Sequence, residues 1–326
     1  RGGRKPTVTD AKLALGRIDP ARFAGGTIPL QPAAAAEALQ AEVGDPLGLK
    51  EFWPAAGVSE IVEENMANAA RVHAIERGRV ISRYTMIAFG GAAPLHAGRL
   101  AEKLGIRGIL VPKSAGVGSA IGFLRAPVSY EVVRSRRMRL GDFDLAAAND
   151  LLRLMHAEAE GVVRPAATGR DLRESRIVDA RYVGQGHELQ VTLPPGPLAA
   201  GVAADLRRSF EAQYRQVYGL TMSNADIEIV TWSVTLATAA APVTPVAAVE
   251  RRKAANGETR PIYEPASGGV RDFALYWRFD LAPGDSVQGP AVIAEDETST
   301  IVPASFTAHV NGAGYLVLEA REAADV

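Results

Sequence analysis

The stretch that most limits what this chain can fold into lies between residues 84 and 112. Tyr84 to Phe89 is rich in β-formers and runs directly into the pair Gly90-Gly91. A helical segment opens at Pro94 and carries apolar residues at Ala97, Leu100, Ala101 and Leu104, and "GILVP" at 108–112 reads as a second strand. Proline suits the first helical turn, where its missing N–H would have no partner, and the three-and-four spacing marks one buried helix face. Strand, helix and strand joined by short turns predict a βαβ unit with parallel pairing and a right-handed crossover. Backbone N–H groups at a helix start lack intrahelical partners, and the helix dipole adds partial positive charge there. Glycines just before that start let a ligand approach the main chain without meeting a Cβ. The turn therefore reads either as a nucleotide site or as a tight βα connection in which glycine relieves steric strain.

Around this unit the chain reads in pieces. Residues 1–57 are loop-rich, punctuated by Pro6, Pro20, Gly25, Gly26, Pro29 and Pro46, with one helix over 32–43. A longer helix follows, in which Val58, Ile61, Val62, Asn65, Met66, Ala69, Val72 and His73 repeat at three and four; Glu60, Glu63 and Glu64 fall in its first turns and Gly78 sits just past its end. After the βαβ unit come a glycine turn at 116–118 and a short helix from Ser119. Beyond Leu140 the texture changes. A helix near 144–161 precedes a long strand candidate over 177–193, interrupted at "VGQGHE", and a helix near 201–216 carries Leu206, Phe210 and Tyr214. "IEIVTWSVTLAT" at 227–238 alternates apolar with polar residues, "AAAPVTPVAAVE" reads as a linker, and from Thr259 short strands alternate with Gly/Pro turns. Three domains are expected: 1–140, an α+β domain at 141–250 and a mainly β domain at 251–326.

Composition removes several function classes. Lys+Arg is 36 against 37 Asp+Glu, a net charge of -1, so no dedicated nucleic-acid or membrane surface is expected. The only basic cluster noted, "VVRSRRMR" at 132–139, reads as a solvated face. Cysteine is absent, which excludes disulfides, thiolate metal sites and cysteine catalysis. No apolar run reaches the roughly 20 residues that span a bilayer, and a cytoplasmic protein is expected. The five histidines at 73, 96, 156, 187 and 309 show no HxH or HExxH spacing, so no metal site within the chain is expected. There is no GxSxG elbow, GxxxxGK[ST] loop or GxGxxG fingerprint, and "GVGSAIG" is too short and too late for a dinucleotide site. The "EDETST" run at 295–300 reads as a solvated turn rather than a cation site. His96, in the first turn after Gly91, reads as a hydrogen-bonding contact to substrate or nucleotide, or as a capping or packing residue. His187, beside Gln185 and Glu188 on a glycine-broken strand, reads as a substrate contact or as a structural or interface residue. Asp10 in "TVTDA" and Asn65 in "ENMANA" either touch nucleotide or substrate or tie segments together; Asn65 falls on the apolar stripe, where a buried amide needs partners. The start "RGGRKPTVTD", without a methionine and in what reads as a loop, suggests a fragment or processed piece.

Six blocks occur in order: "RGGRKPTVTDAKLALGRIDPARFAGG", "VEENMANAARVHAIERG", "MIAFGGAAPLHAGRLAEKLGI", "VPKSAGVGSAIGFLRAPVSYE", "ARYVGQGHELQVTLP" and "LAPGDSVQGPAVIAEDETSTIVPASF". Together they resemble the second half of the hydantoinase A / oxoprolinase family, over about residues 1 to 320. That family includes ATP-dependent hydantoinases and oxoprolinases and the nucleotide-binding subunits of acetone and acetophenone carboxylases. The resemblance implies an α/β fold, the second lobe of an actin/Hsp70/sugar-kinase-like ATPase, followed by mixed α+β and mainly β regions. It implies ATP and Mg²⁺ as cofactors, with Gly90, Gly91 and Ala92 against the nucleotide and Phe89 and Pro94 shaping the turn; Ala93 stands where relatives usually carry glycine. It further implies a hydantoinase B-type partner subunit, a small amide or ketone substrate, and a first half of the same subunit that supplies the phosphate-binding turns missing here. The implied activity is activation of a carbonyl oxygen by phosphoryl transfer, then hydrolysis of a cyclic amide or carboxylation of a ketone enolate. The catalytic residues stay unassigned. The competing reading is a non-catalytic scaffold or binding module of the same fold, since fold does not imply function.

Overall fold

The computed structural model describes residues 3–222, 224–255, 258–264 and 267–321. Helices α1 (Val8–Ala14), α2 (Pro32–Leu39), α3 (Asp45–Leu47) and α4 (Trp53–Glu76) come first, α2 passing into a π-helical turn over Gln40–Gly44. Next are β1 (Thr85–Ile87), α5 (Ala93–Leu104), β2 (Gly108–Val111), α6 (Gly118–Arg125), β3 (Ser129–Arg139), α7 (Leu145–Ala167), β4 (Leu172–Tyr182), β5 (Leu189–Thr192), α8 (Val202–Tyr218) and β6 (Ile227–Thr238). The remainder is built of short strands: β7 (Arg252–Lys253), β8 (Glu258–Glu264), β9 (Gly269–Trp277), β10 (Asp285–Gln288), β11 (Ala291–Ala294), β12 (Ser299–Val302), β13 (Phe306–Val310) and β14 (Leu316–Ala320). Among the described residues no helix is long and apolar enough to cross a membrane.

The chain divides into two compact units, residues 1–123 with 244–326, and residues 124–243. The sequence suggested three. The terminal β region does not stand alone because β14 pairs antiparallel with β2, Leu318 opposite Ile109, and so continues the sheet begun by the βαβ unit. In the first unit β1 and β2 are parallel, with Met86 opposite Ile109, as the βαβ pattern predicts. Their sheet runs β1-β2-β14-β13-β10-β7, and a second sheet runs β12-β11-β9-β8. Helix α5 buries Ala97, Ala101 and Leu104 against Ile109, Val302 and Leu318. A side chain at Gly98 would meet the Pro303 ring and lie 2.9 Å from Ile301 O, so α5 approaches the end of β12 as closely as a bare backbone allows.

Helix α4 corrects the expected stripe. Asn65, Ile61, Val72 and His73 are exposed, whereas Ala55, Ala56, Ser59, Glu63, Ala67 and Ala74 are buried. The buried face is the one with small side chains, which lets α1 and α5 come close. Asn65 therefore needs no buried partner.

The second unit is an antiparallel sheet in the order β3-β6-β4-β5, with α7 and α8 contributing Leu152, Met155, Phe210 and Tyr214 to its core. In the central strand β6, Ile227 and Ile229 are buried, and so are Trp232, Val234 and Leu236. Odd and even positions share one face because the register shifts between Asp179 and Ala180 on β4 and between Ser135 and Met138 on β3; a bulge between Ile229 and Thr231 resets the alternation. The "VGQGHE" interruption is a turn, so the expected long strand is two antiparallel strands, with Ala180 opposite Leu189. The basic cluster 132–139 lies in strand β3, where only Val132 and Met138 are buried; its arginines are exposed, as a solvated face requires.

Candidate functional site

The Gly90-Gly91 turn joins β1 to α5. Ala88 N donates to Leu110 O at 2.9 Å, prolonging the parallel pairing, and Gly90 N donates to Ala115 O at 2.9 Å. Gly90 has φ +110°, a conformation that side chains disfavour, yet a Cβ there would meet nothing within 4 Å. Backbone conformation therefore demands this glycine, and the space beside it is open. Gly91 differs: a Cβ would sit 3.4 Å from Glu297 O, an ordinary contact. Phe89, Gly91 and Ala92 are exposed, and Pro94 is buried beneath them. Ala92 at the N-cap offers no side-chain hydrogen bond to α5, and among the described residues Gly91, Ala92 and Ala93 N–H have no backbone acceptor. Ala93 begins the helix without positive φ, so alanine in place of glycine carries no strain there. The later glycines are packing space. Phe89's ring fills the position of a Gly118 side chain, and Glu297 that of a Gly116 side chain.

The loop between β11 and β12 braces the turn. Thr298 Oγ1 donates to Gly91 O at 2.7 Å, and Glu295 N donates to Thr298 O at 2.9 Å. Glu295, Thr298, Ser299 and Thr300 are all buried, so "EDETST" is not the solvated turn expected. The strands on either side draw it into the fold. A crevice of about 30 Å³, room for one water, is lined by Gly91, Leu95, Trp277 and Glu295. Burial pushes Glu295 up to about 7, with Arg278 opposing the shift.

Behind the turn, α1, α4 and α5 close on a buried polar cluster. Glu63 Oε1 receives Lys12 Nζ at 2.5 Å and His96 Nδ1 at 3.1 Å, with Arg17 Nη1 at 3.6 Å; Lys12 also donates to Ser59 Oγ at 2.9 Å. Burial favours protonation of Glu63, but the His96 hydrogen bond and the charges of Lys12 and Arg17 outweigh it and hold the carboxyl at about 2. An ionised carboxylate only accepts, so His96 Nδ1 carries the hydrogen. Burial pulls Lys12 down to about 8, Arg17 adds to this and Glu63 opposes it. Among the described residues Glu63 Oε2 and Arg17 Nε have no hydrogen-bond partner. Bidentate bonds from Arg99 to Glu60 at 2.9 and 3.1 Å, and Lys103 Nζ to Glu64 at 2.8 Å, lock α5 onto α4.

His96 is thus a buried member of a network that packs behind the turn. Asp10 forms a capping box with Thr7, accepting from Thr7 N at 2.7 Å. His187 lies exposed in the β4–β5 turn of the other unit, where Gln185 Nε2 donates to Tyr214 Oη at 3.0 Å. Among the described residues no group of three His, Cys, Asp or Glu could hold a metal ion. Sequence reasoning missed Lys12, Arg17, Ser59, Glu63 and Glu295. A signal existed for Ser59 and Glu63: small and polar residues at 56, 59, 63, 67, 70 and 74 repeat at three and four, the spacing of a close helix contact.

The hydantoinase/oxoprolinase profile matches residues 1–132, and that of the hydantoinase/oxoprolinase C-terminal domain matches residues 153–321. The chain belongs to the hydantoinase/oxoprolinase family. It is 32% identical to caprolactamase subunit alpha of Pseudomonas jessenii over 93% of this chain and 44% of that one. It is 28% identical to acetone carboxylase beta subunit of Xanthobacter autotrophicus, over 94% of this chain and 45% of that one. The crystal structure of ATP-dependent caprolactamase from Pseudomonas jessenii superposes with a TM-score of 0.77 at 30% identity, covering 98% of this chain and 48% of the other. The chain therefore spans less than half the length of these family members.

Proposed function

We propose that this chain supplies the adenosine side of the nucleotide site in an ATP-dependent enzyme that activates a carbonyl oxygen by phosphoryl transfer. The observation that supports this reading is the Gly90–Ala92 turn, exposed at Gly91 and Ala92, with open space beside Gly90 and N–H groups at Gly91, Ala92 and Ala93 free of backbone acceptors among the described residues. Such a turn can receive a nucleoside on its backbone without meeting a side chain. Phe89 and Pro94 shape it, Thr298 fixes the Gly91 carbonyl, and the Glu63–His96 bond steadies the helix behind it. Bound ATP, with Mg²⁺ across its phosphates, would supply the phosphoryl group. The described residues fit the nucleoside rather than the metal, since they contain no cluster to ligate one. We assign no catalytic base.

Relatives named as a caprolactamase and as an acetone carboxylase support two substrate classes, a cyclic amide for hydrolysis or a ketone for carboxylation, and the cyclic amide is placed first. Relatives named as subunits support a hetero-oligomer; the partner we propose is a B-type subunit, and the location we propose is cytoplasmic. The test is calorimetric titration of ATP·Mg²⁺ into the natural polypeptide containing these residues, with Gly91→Val as the probe. Gly91 is not at positive φ, so valine suits its backbone, and it adds bulk to the turn proposed for the nucleotide, with its Cβ 3.4 Å from Glu297 O. The expected result is ATP binding in the parent and a loss of about tenfold or more in the variant; no binding in the parent, or equal binding in both, sinks the assignment and favours the scaffold reading. Turnover of ATP by the reconstituted complex with lactams or with ketones plus bicarbonate then decides the substrate class.

A further inference from the structure

Helix α6 is exposed in a way its composition does not suit. It reads GSAIGFLR, yet only Gly118 is buried in it. Ala120 and Gly122 are exposed, and Phe123 is 86% exposed. An apolar helix is stable under a covering layer rather than in water. Among the described residues nothing supplies that layer.

Strand β1 adjoins it. Among the described residues β1 stands at one edge of the six-stranded sheet, with β2 as its neighbour, Thr85 opposite Gly108 and Ile87 opposite Leu110. Side chains alternate along a strand. Met86 and Ala88 turn to the core, while Ile87, 62% exposed, and Phe89, 52% exposed, turn outward. Backbone groups alternate as well. Ala88 N donates to Leu110 O at 2.9 Å, so the N–H groups of Ile87 and Phe89 lie on the free edge, and Phe89 N has no backbone acceptor among the described residues. The Phe89 ring occupies the place of a Gly118 side chain, which joins the outer face of β1 to the start of α6. Tyr84 and Val117 are exposed beside these two elements. Edge strands are ordinarily protected by charge or proline. The stretch YTMIAF at 84–89 has neither.

We propose that the free edge of β1 and the apolar surface of α6 are covered in the natural protein by a further region of the same polypeptide. That region adds a strand beside β1 and packs apolar side chains on Ile87, Phe89 and Phe123. Two observations choose this occupant over a separate chain. The chain spans 44% of caprolactamase subunit alpha and 48% of the chain in the caprolactamase crystal structure, so those relatives have more residues outside the matched part than within it. The patch also runs directly into Gly90; on the reading given under Proposed function, the phosphate side of the nucleotide site has to approach that same border. A covalently attached region docks at high effective concentration, which keeps an uncharged edge from standing open.

The experiment uses the natural full-length protein without nucleotide. Phe123→p-benzoylphenylalanine is irradiated and the cross-linked peptides are identified by mass, and amide exchange over 84–89 is followed in the parent. Cross-links are expected at the mass of a single polypeptide, joining position 123 to residues outside this 326-residue sequence. The Ile87 and Phe89 amides are expected to exchange at least about tenfold more slowly than in unstructured peptide. Ile87→Lys, harmless on an open surface, is expected to lower Tm and to speed exchange at Phe89; should that variant not fold, the cross-link decides. Cross-links to a second polypeptide, cross-links confined to residues 1–326, no cross-link at all, or unprotected amides at Ile87 and Phe89 overturn the proposal. No ATP is added, so a failed nucleotide assignment leaves these readouts unchanged.

Discussion

In the unit 124–243, the polar atoms of two fully buried core aromatics are tied to backbone. The Trp232 indole N–H donates to Arg136 O at 2.8 Å, and the Tyr182 hydroxyl accepts from Met222 N at 3.0 Å. In the other unit, buried ionisable groups face one another: Lys12, Arg17 and His96 around Glu63, and Glu295 in the same unit as buried Arg278. The first arrangement ties its aromatic polar atoms to backbone and keeps its buried charges in separate ion pairs, Arg176 with Glu174 and Glu228 with Arg181. The second leaves one carboxylate oxygen and one guanidinium nitrogen unpaired, a cost that packing alone does not explain and that functional regions tolerate. The charged cluster lies behind the turn proposed for the nucleotide.

Four substitutions, the second combined with a fifth in a double mutant, test that contrast, taken from the largest expected effect. Trp232 is fully buried, so Trp232→Ala should cost about 3–5 kcal/mol through lost transfer energy and a cavity, read by chemical denaturation of the unit's transition. Glu63→Ala should cost about 3 kcal/mol because it leaves Lys12 and Arg17 buried without their counter-charge. Adding Lys12→Met should restore part of that loss. Strict additivity in this double-mutant cycle would show that the two side chains do not act as a pair.

Glu295 gives the pH arm. Its folded pKa is raised from 4.5 to about 7, so the folded state holds the proton more tightly than the unfolded chain. Stability therefore falls as pH rises from about 4.5 to about 7 and is flat above. Glu295→Gln removes that penalty: its unfolding free energy should match the parent's at pH 4 and exceed it at pH 8 by about 2–3 kcal/mol, read as a Tm difference that appears only at the higher pH. An equal Tm difference at both pH values would contradict the assignment. The smallest effect is Thr298→Val, which deletes the bond to Gly91 O and should cost about 1 kcal/mol while loosening the turn, seen as faster amide exchange there.

How much of this was legible depends on where the periodic signal lay. The βαβ unit could be read because β-formers, glycine, proline and a three-and-four apolar stripe all agree over 84–112, and β6 was read to the residue over 227–238. The buried face of α4 was not legible, since it is built of alanine, serine and glutamate while Ile61, Val72 and Ile75 are exposed. Strand β3 hid in a basic run because only Val132 and Met138 turn inward. The β4–β5 turn looked like a break in one strand, as glycines in a strand and in a hairpin look alike in sequence. At the candidate site the turn itself was legible. Its brace was not, because Thr298 and Gly91 are 207 residues apart and "EDETST" resembles any polar loop.

Hydrogen exchange of the natural full-length protein, followed in peptides covering 88–97 with and without ATP·Mg²⁺, tests the central assignment most directly. The account predicts that saturating ATP·Mg²⁺ slows exchange at Gly91, Ala92 and Ala93, and that Gly91→Val abolishes the slowing while Tm stays close to the parent. ATP binding that leaves exchange in this segment unchanged would place the nucleotide elsewhere and contradict the account.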